Sequence, residues 1–438
     1  MRVSLPALGC AVLALACEEP VPKPLQPAPG ARFAVVSTNY QGATAISLLD
    51  AEAEVSAHAW ASPSIANPDL RTPLAEDVAL PTISASSSRL TTIERSIGVI
   101  THFDLERGAV IGQLKVDENP DARASYDSNP QDVYFVHEGL AWVSRWAPNA
   151  DPEAPEDLRG TDLLAFDPSE MRQLDQRIDL SGFDTTVTQQ RIDDDGDPDG
   201  EVESTAYARP SRLAPAGVHL VVGLVRGTLS LAFSGFDFAE GMVAVVDPVA
   251  GEVTDALTLD GLANCGDVYP VPDAPTRVIV ACIGDWRDLG PRTGLLLLEV
   301  DGTGSASVVE RFALADHEGA APSAQFVASL GGTRLVAVAT GGTDARSREE
   351  AMPDALFLID LASGEQTLLL ESDGTFALGQ PAFDSTRGLL LVPDAGSIEA
   401  PIFGLHRFRV EGDAPPTRDG FIEVAPGTTL AARAVHAL

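Results

Sequence analysis

The feature that most constrains the fold of this chain is a repeated apolar segment that ends in an acidic residue. A turn containing Gly, Pro or Ala follows each copy, and a segment of alternating character follows the turn, as in paired β-strands. Copies recur roughly every 50 to 80 residues. This spacing is longer than a compact propeller repeat requires, so the additional residues predict insertions between strands. The copies are Thr44–Asp50, Gly98–Asp104, Asp162–Pro168, Met242–Pro248, Gly294–Asp301, Ala355–Asp360 and a degenerate Ile402–Val410.

A second apolar strand precedes each copy. These strands are Phe33–Ser37, Arg89–Ile93, Leu140–Ser144, His219–Leu224, Arg277–Ala281, Arg334–Ala339 and Gly388–Val392. No long segment has a helical hydrophobic period, which argues against parallel βαβ units. Small sheets that pack radially bury both of their faces, so the pattern predicts an all-β chain and a β-propeller of about seven blades. We expect Thr429–Leu438 to pair beside Phe33–Asn39 and close the ring; the alternative is two all-β domains divided near residue 205.

One pair of these strands carries a family resemblance. Val35–Asn39, followed by Ala45–Asp50, resembles the YVTN-type repeat of extracellular seven-bladed propellers, including those of bacterial lipoproteins. Leu220–Gly223 with Val245–Asp247, and Leu390–Asp394, are weaker copies, and most copies lack the Tyr and the Asn. The resemblance spans about residues 32 to 438 and implies a fold rather than an activity.

The beginning of the chain has the pattern of an export signal. Arg2 provides a positive charge, and Leu5–Ala16 is apolar but too short to span a bilayer. Ala14–Cys17 resembles the lipobox of bacterial lipoproteins, so we expect a signal peptide over residues 1–16 and a lipid on Cys17. An ordinary cleaved signal peptide and a lipid on Cys10 are the alternatives. Glu18 after the cysteine favours the outer membrane of a Gram-negative bacterium in the usual sorting rule.

A proline-rich segment follows the expected lipid anchor. Residues 17–31 contain Pro at short intervals, which predicts an extended tether that cannot pack into a core. The propeller domain would then occupy residues 32–438, with an acidic insertion near 181–208. The protein would contact a membrane only through its N-terminal lipid.

Two further cysteines predict a disulfide. Asp267–Val271 and Arg277–Ala281 read as two strands around the turn Pro272–Pro275, so Cys265 and Cys282 would face each other across a hairpin. An exported chain reaches an oxidising compartment, in which such a pair forms a disulfide. Two small buried thiols are the alternative.

The sharpest local motif is an acidic loop over residues 191–203. Alternating carboxylates and a glycine can fold around a hard cation, so we expect a structural Ca²⁺ site there. A shifted register of the same loop resembles the calcium loops inserted in integrin-like propellers. The EF-hand pattern is incomplete, since Ala206 stands where the final glutamate belongs, and a disordered acidic loop is the alternative. The candidate ligands are Asp193, Asp195, Asp197, Asp199 and Glu201.

The charge balance limits the partners. The chain has 29 basic and 64 acidic residues and a formal net charge of −35. Such a surface repels phosphate backbones, so we expect no nucleic-acid partner and instead an unidentified protein or carbohydrate ligand.

No catalytic motif is evident in the sequence. The histidines have no metal-ligand spacing, and a nucleophile elbow, a phosphate loop and a dinucleotide fingerprint are all missing. Asp132 and Asp267 stand at the starts of expected inner strands, where they would face the central channel or simply cap a strand. We therefore expect a non-catalytic binding or scaffold module of the cell envelope. The alternative is a lactonase-like hydrolase with a metal in the channel; a quinone-dependent redox enzyme is disfavoured because regular tryptophans are missing.

Overall fold

The chain is a β-propeller of seven blades in the computed structural model. The structure describes residues 24–40, 42–63, 70–119, 124–149, 151, 153–192, 198–228, 237–284, 292–314, 323–340, 353–397, 400–426 and 428–438. Among these residues, no helix is long and apolar enough to cross a membrane. The helices described are short 3₁₀ turns at Arg95–Ile97, Glu156–Leu158 and Ser181–Phe183.

The first three blades use strands from the N-terminal half of the chain. Blade 1 contains β1 (Phe33–Thr38), β2 (Thr44–Leu49) and β3 (Val55–Ala61). Blade 2 contains β4 (Val78–Ala79), β5 (Arg89–Glu94), β6 (Val99–Asp104) and β7 (Ala109–Lys115). A short ribbon of β8 (Glu118–Asn119) and β9 (Ala124–Ser125) precedes blade 3. Blade 3 contains β10 (Pro130–His137), β11 (Leu140–Arg145), β12 (Asp162–Asp167) and β13 (Arg172–Asp179).

Blade 4 contains an additional strand. The long strand β15 pairs with β14 through its first half and forms the inner strand of the blade through its second half. The strands are β14 (Thr185–Ile192), β15 (Pro198–Ala216), β16 (His219–Thr228), β17 (Glu240–Asp247) and β18 (Glu252–Ala263). Because β15 runs without interruption through residue 205, a domain division there would cut a strand.

The last three blades repeat the four-stranded sheet. Blade 5 contains β19 (Asp267–Pro270), β20 (Arg277–Cys282), β21 (Gly294–Val300) and β22 (Ala306–Phe312). Blade 6 contains β23 (Ser323–Gly331), β24 (Arg334–Thr340), β25 (Ala355–Asp360) and β26 (Gln366–Glu371). Blade 7 contains β27 (Ala382–Asp384), β28 (Leu389–Gly396), β29 (Pro401–Arg409) and β30 (Thr417–Glu423).

The C-terminal strand closes the ring. β31 (Ala431–Ala437) pairs antiparallel with β1 and becomes the inner strand of blade 1, with Val35 opposite Val435. This confirms the pairing predicted for Thr429–Leu438. We define the entry mouth as the end of the channel where the inner strands begin and the exit mouth as the end where they finish.

The core consists of seven hydrophobic clusters of described residues, each between two neighbouring blades. The second and third strands of a blade face such a cluster on both sides, and every residue of β1 and of β2 is buried. The outer strands are more exposed to solvent, as the side chains of β22 show. The predicted repeats are therefore the second and third strands of all seven blades, since these carry the apolar runs.

The acid that ends each repeat has a local structural role. Asp247 accepts hydrogen bonds through Oδ1 from the backbone N–H groups of Val249 at 2.8 Å and Ala250 at 2.9 Å. Asp50 and Asp301 cap the corresponding turns in blades 1 and 5 in the same way. A short carboxylate that bonds the backbone two or three residues ahead fixes a tight turn. The repeated acid thus belongs to the fold and not to a ligand site.

The disulfide prediction is confirmed. Cys265 and Cys282 are joined beside the β19–β20 hairpin, and both are fully buried. The described strands match the predicted hairpin, with Asp267 opposite Ala281 and Tyr269 opposite Ile279.

Candidate functional site

An arginine spans the axis of the propeller. Arg212 lies on the inner half of β15, and its guanidinium reaches three other blades. Nη1 donates to the carbonyl oxygen of Leu80 in blade 2, and Nη2 donates to Oε1 of Gln380 in blade 7, both at 2.9 Å. Nε lies 3.8 Å from Oδ1 of Asp267 in blade 5. We take this side chain as the boundary between an entry half and an exit half of the channel.

Asp267 lies beside this arginine, at the first position of β19. Its side chain keeps 14% of its surface exposed. Burial raises the pKa of the Asp267 carboxyl to about 6, and the positive charge of Arg212 acts in the opposite direction. A carboxyl group that titrates near neutrality can accept a proton from a reacting group at physiological pH.

Asp132, the other acid selected from the sequence, is fully buried in the channel wall. Oδ1 accepts hydrogen bonds from the backbone N–H groups of Thr82 and Val133. Oδ2 accepts from Oγ1 of Thr82 at 2.6 Å and from the N–H of Leu213 at 2.8 Å. The carboxylate therefore links blades 2, 3 and 4. Asp132 caps strands, the second of the two roles that the sequence allowed, and is not a ligand-facing group.

Two aromatic side chains flank an arginine at the entry mouth. Tyr40 and Phe376 are 51% and 45% exposed, and both have left-handed backbones with φ of 55° and 54°. Arg433 lies between them: its Cζ is 5.8 Å from the centroid of the Tyr40 ring, and its Nη1 donates to the carbonyl oxygen of Phe376. Exposed aromatic faces held in a costly backbone conformation indicate a binding surface.

A second arginine contributes positive charge at the same mouth. Nε of Arg95 donates to Oδ1 of Asp77 at 2.9 Å, and its Nη1 donates to Oε1 of Gln131 at 3.2 Å. With Arg212 and Arg433, three guanidinium groups face the entry half. The carboxylates of Asp77 and Asp267 lie beside Arg95 and Arg212, so positive and negative charges alternate at this end of the channel.

The exit half is a cavity of about 480 Å³. Its lining includes Ser84, Tyr269, Gln380 and His436. Oγ of Ser84 and Nε2 of His436 are hydrogen-bonded, and the Ser84 hydroxyl also donates to the carbonyl oxygen of Ala437 at 3.1 Å. Burial, with a smaller contribution from the positive charge of Arg212, lowers the pKa of the His436 imidazole to about 4. The ring is consequently neutral at physiological pH and can accept a proton.

The predicted calcium loop lies largely outside the described residues. Asp193, Asp195 and Asp197 belong to an undescribed segment, as does Cys17. Asp199 lies in β15, and Glu201 is an exposed residue of the same strand, opposite Gln190. In the part of the chain that the structure describes, no three His, Cys, Asp or Glu side chains group as metal ligands. The Ca²⁺ site remains a prediction.

Comparison with solved structures shows the same fold. The periplasmic gluconolactonase of Pseudomonas aeruginosa is 13% identical, with a TM-score of 0.54 over 93% of this chain and 99% of that chain. A putative 6-phosphogluconolactonase from Bacteroides fragilis is 11% identical, with a TM-score of 0.53 over 93% and 98%. A hypothetical selenium-binding protein from Sulfolobus tokodaii is 12% identical, with a TM-score of 0.55 over 94% and 96%. These likenesses establish a β-propeller.

Sequence comparisons add nothing to this result. No protein-family model matches the chain, and no curated protein matches it in sequence. The identities to the solved structures are too low to carry an activity, so the function must be argued from the channel itself.

Sequence reasoning missed most of the channel residues. It selected Asp132 and Asp267 because each stands at the start of an inner strand. Arg212 lies late in β15 and Arg433 lies inside β31, so a rule based on the first residue of an inner strand selects neither. The closing strand β31 was predicted without its channel-facing residues, and the inner half of β15 was not recognised as a strand. Ser84 had no signal, since its partner His436 lies 352 residues away in the chain.

Proposed function

We propose that the protein is a hydrolase of small lactones that acts in the entry half of the channel. The observation that carries the proposal is the placement of a partly exposed carboxyl group, Asp267, beside the axial guanidinium of Arg212. The proposal keeps the lactonase-like alternative from the sequence and assigns the chemistry to these two side chains, because the described residues bring no metal-ligating group together.

The arrangement suits the attack of water on a carbonyl carbon. Ionised Asp267 takes a proton from the water, whose oxygen bonds to the lactone carbonyl carbon and places negative charge on the carbonyl oxygen. The guanidinium of Arg212 is held rigidly by Leu80 and Gln380, so its charge stabilises this oxyanion without rearrangement. The ring C–O bond then breaks, the leaving oxygen takes the proton, and a hydroxy acid is released.

The entry mouth supports a sugar-derived substrate. The exposed rings of Tyr40 and Phe376 offer apolar faces for a pyranose or furanose ring. Arg433 and Arg95 attract the carboxylate of the product or an anionic substituent of the substrate. Two solved structures with this fold are a periplasmic gluconolactonase and a putative 6-phosphogluconolactonase, which supports the choice of an aldonolactone as the first substrate to test.

We also propose that this activity is located at the cell envelope. The lipobox-like segment ending at Cys17 and the Pro-rich residues directly after it favour a lipid-anchored protein, with the outer membrane as the membrane involved. The expected tether over residues 17–31 is too long, because Leu25 and Ala31 are buried in the core between blades 1 and 2. If the lactones tested bind at the entry mouth but are not hydrolysed, the protein is a binding module without catalytic activity.

The test is the hydrolysis of glucono-1,5-lactone, followed by acid release under weak buffering. We expect kcat/KM to rise with pH through about 6, because only the ionised carboxylate of Asp267 accepts the proton. Asp267→Asn should lower kcat about 100-fold or more.

The matched control is Glu299→Gln on the outside of the same blade, where a solvent-exposed carboxylate is neutralised. This variant should retain the wild-type rate. The proposal fails if wild-type protein does not exceed spontaneous hydrolysis between pH 5 and 9 with any aldonolactone, or if Asp267→Asn retains full activity.

A further inference from the structure

We propose that the exit mouth is a second active site, in which Ser84 and His436 form a nucleophile–base pair that hydrolyses small activated carboxylic esters. This site shares no reacting group with the lactone site proposed above, and the side chain of Arg212 lies between the two. The inference therefore does not rest on the function proposed for the entry half.

The geometry of the pair carries the inference. Ser84 lies in the loop after β4, and His436 lies near the end of the closing strand β31; the ring closure brings the two side chains into direct contact. Both line the cavity of about 480 Å³, which is large enough for a small ester. A hydroxyl group hydrogen-bonded to a neutral imidazole at the wall of a cavity is the arrangement that activates a serine.

The cavity also offers a hydrogen-bond donor. Oε1 of Gln380 accepts a hydrogen bond from Nη2 of Arg212. The NH₂ group of the same amide is therefore the donor that Gln380 can offer to a ligand in the cavity. Such a neutral donor can stabilise the oxygen of a carbonyl group as negative charge develops on it.

The reaction is balanced with water as the only co-reactant. Oγ of Ser84 bonds to the ester carbonyl carbon while its proton passes to Nε2 of His436. The ester C–O bond breaks, and the imidazolium returns the proton to the departing alcohol. Water then attacks the acyl group and gives a proton to His436, the Oγ–acyl bond breaks, and the proton restores the Ser84 hydroxyl as the acid leaves.

The low basicity of His436 defines the substrate class. A weakly basic imidazole removes a proton slowly, so catalysis is effective only when the acyl carbon is electrophilic and the leaving group is good. Aryl esters meet this condition, whereas amides do not. This excludes a peptidase role for the pair.

The experiment is covalent labelling of the full chain with a fluorophosphonate probe, followed by mass spectrometry of the digested protein. We expect one modified residue, Ser84, and hydrolysis of p-nitrophenyl acetate above the background rate. Ser84→Ala should abolish both, and His436→Gln should reduce the labelling rate at least 100-fold. Ser363→Ala, which removes an exposed hydroxyl group outside the cavity, should react like the wild type.

A merely structural contact predicts a different result. If the Ser84–His436 bond only closes the ring, Ser84→Ala lowers the melting temperature and the wild-type protein takes up no probe; that result overturns the proposal. Labelling at another residue also overturns it. Mapping the label on the wild-type chain keeps the test decisive even if a variant fails to fold. Asp267→Asn should leave labelling unchanged, which separates the two proposals.

Discussion

Nη2 of Arg212 and Oε1 of Gln380 meet across the propeller axis at 2.9 Å, although the two residues are 168 positions apart in the chain. The same guanidinium bonds blade 2 and lies beside Asp267 of blade 5. One side chain therefore connects four blades at the place where a propeller has no hydrophobic core. This arrangement stabilises the ring and also sets the charge of the channel.

The first prediction concerns Arg212. Arg212→Met should lower the free energy of unfolding by about 2–3 kcal/mol, because it leaves Gln380 and the carbonyl group of Leu80 without their donor in a buried place. It should also raise the pKa of Asp267, which the guanidinium opposes. Urea denaturation measures the first effect, and an NMR titration of the Asp267 carboxyl group in the folded variant measures the second.

Arg277→Met is the control for this substitution. Arg277 pairs with Glu299 on the solvent-exposed outside of blade 5, and an exposed ion pair contributes less than about 1 kcal/mol. Equal losses of stability in the two variants would contradict the axial role of Arg212.

The second prediction concerns a buried glutamate in blade 2. Glu94 accepts hydrogen bonds from the hydroxyl groups of Thr92 and Thr101, and burial raises its pKa to about 8. The folded state thus binds a proton that the unfolded state has lost above its ordinary pKa of 4.5. Stability should therefore fall as the pH rises from about 4.5 to about 8.

The substitution Glu94→Gln removes this ionisation. Relative to the wild type, the variant should gain stability on the order of 5 kcal/mol at pH 9 and less than about 1 kcal/mol at pH 5. Chemical denaturation at both pH values measures the difference. Glu118→Gln, which alters an exposed carboxylate, should show no such pH dependence; an equal effect of the two changes would contradict the assignment to Glu94.

The third prediction concerns the disulfide. Replacing both Cys265 and Cys282 by Ala should lower the free energy of unfolding by about 3 kcal/mol. The bond joins residues 17 positions apart and so closes a loop in the unfolded chain. Thermal melts of the oxidised wild type, the reduced wild type and the double variant measure the effect. If reduction destabilises the double variant as much as the wild type, the effect does not arise from this bond.

A neighbouring glycine provides an independent check of the packing around the disulfide. A Cβ atom at Gly241 would lie 2.2 Å from Sγ of Cys265, so Gly241→Ala should destabilise the oxidised protein. Gly302→Ala is the matched control, because no atom lies within 4 Å of the position of the added carbon. Similar melting temperatures for the two variants would show that the site around Cys265 can relax.

The fourth prediction concerns the acidic loop. We expect one Ca²⁺ per chain, lost in the double substitution Asp195→Asn and Asp197→Asn. A ligand at 100 times its dissociation constant stabilises the folded state by about 2.7 kcal/mol, so chelation should lower the melting temperature of the wild type only. Metal analysis and thermal melts with Ca²⁺ and with chelator test this. Unchanged melting and no bound calcium would leave an acidic loop without a metal.

The sequence by itself determined the class of fold and most of its register. The second and third strands of all seven blades, the β19–β20 hairpin with its disulfide and the closing strand β31 follow from apolar runs and turn residues. These strands are buried on both faces or joined by a short turn. Their residues must therefore be apolar or turn-forming, and this requirement is visible in the sequence alone.

Only the tertiary structure decided the contents of the channel. The inner strands mix apolar and polar residues, and a sequence pattern cannot show which of these residues face the axis. Arg212 with Asp267, and Ser84 with His436, become neighbours because ring closure brings residues from different blades to one axis. Burial then sets their pKa values, a property that belongs to the surroundings of a side chain and not to its position in the chain.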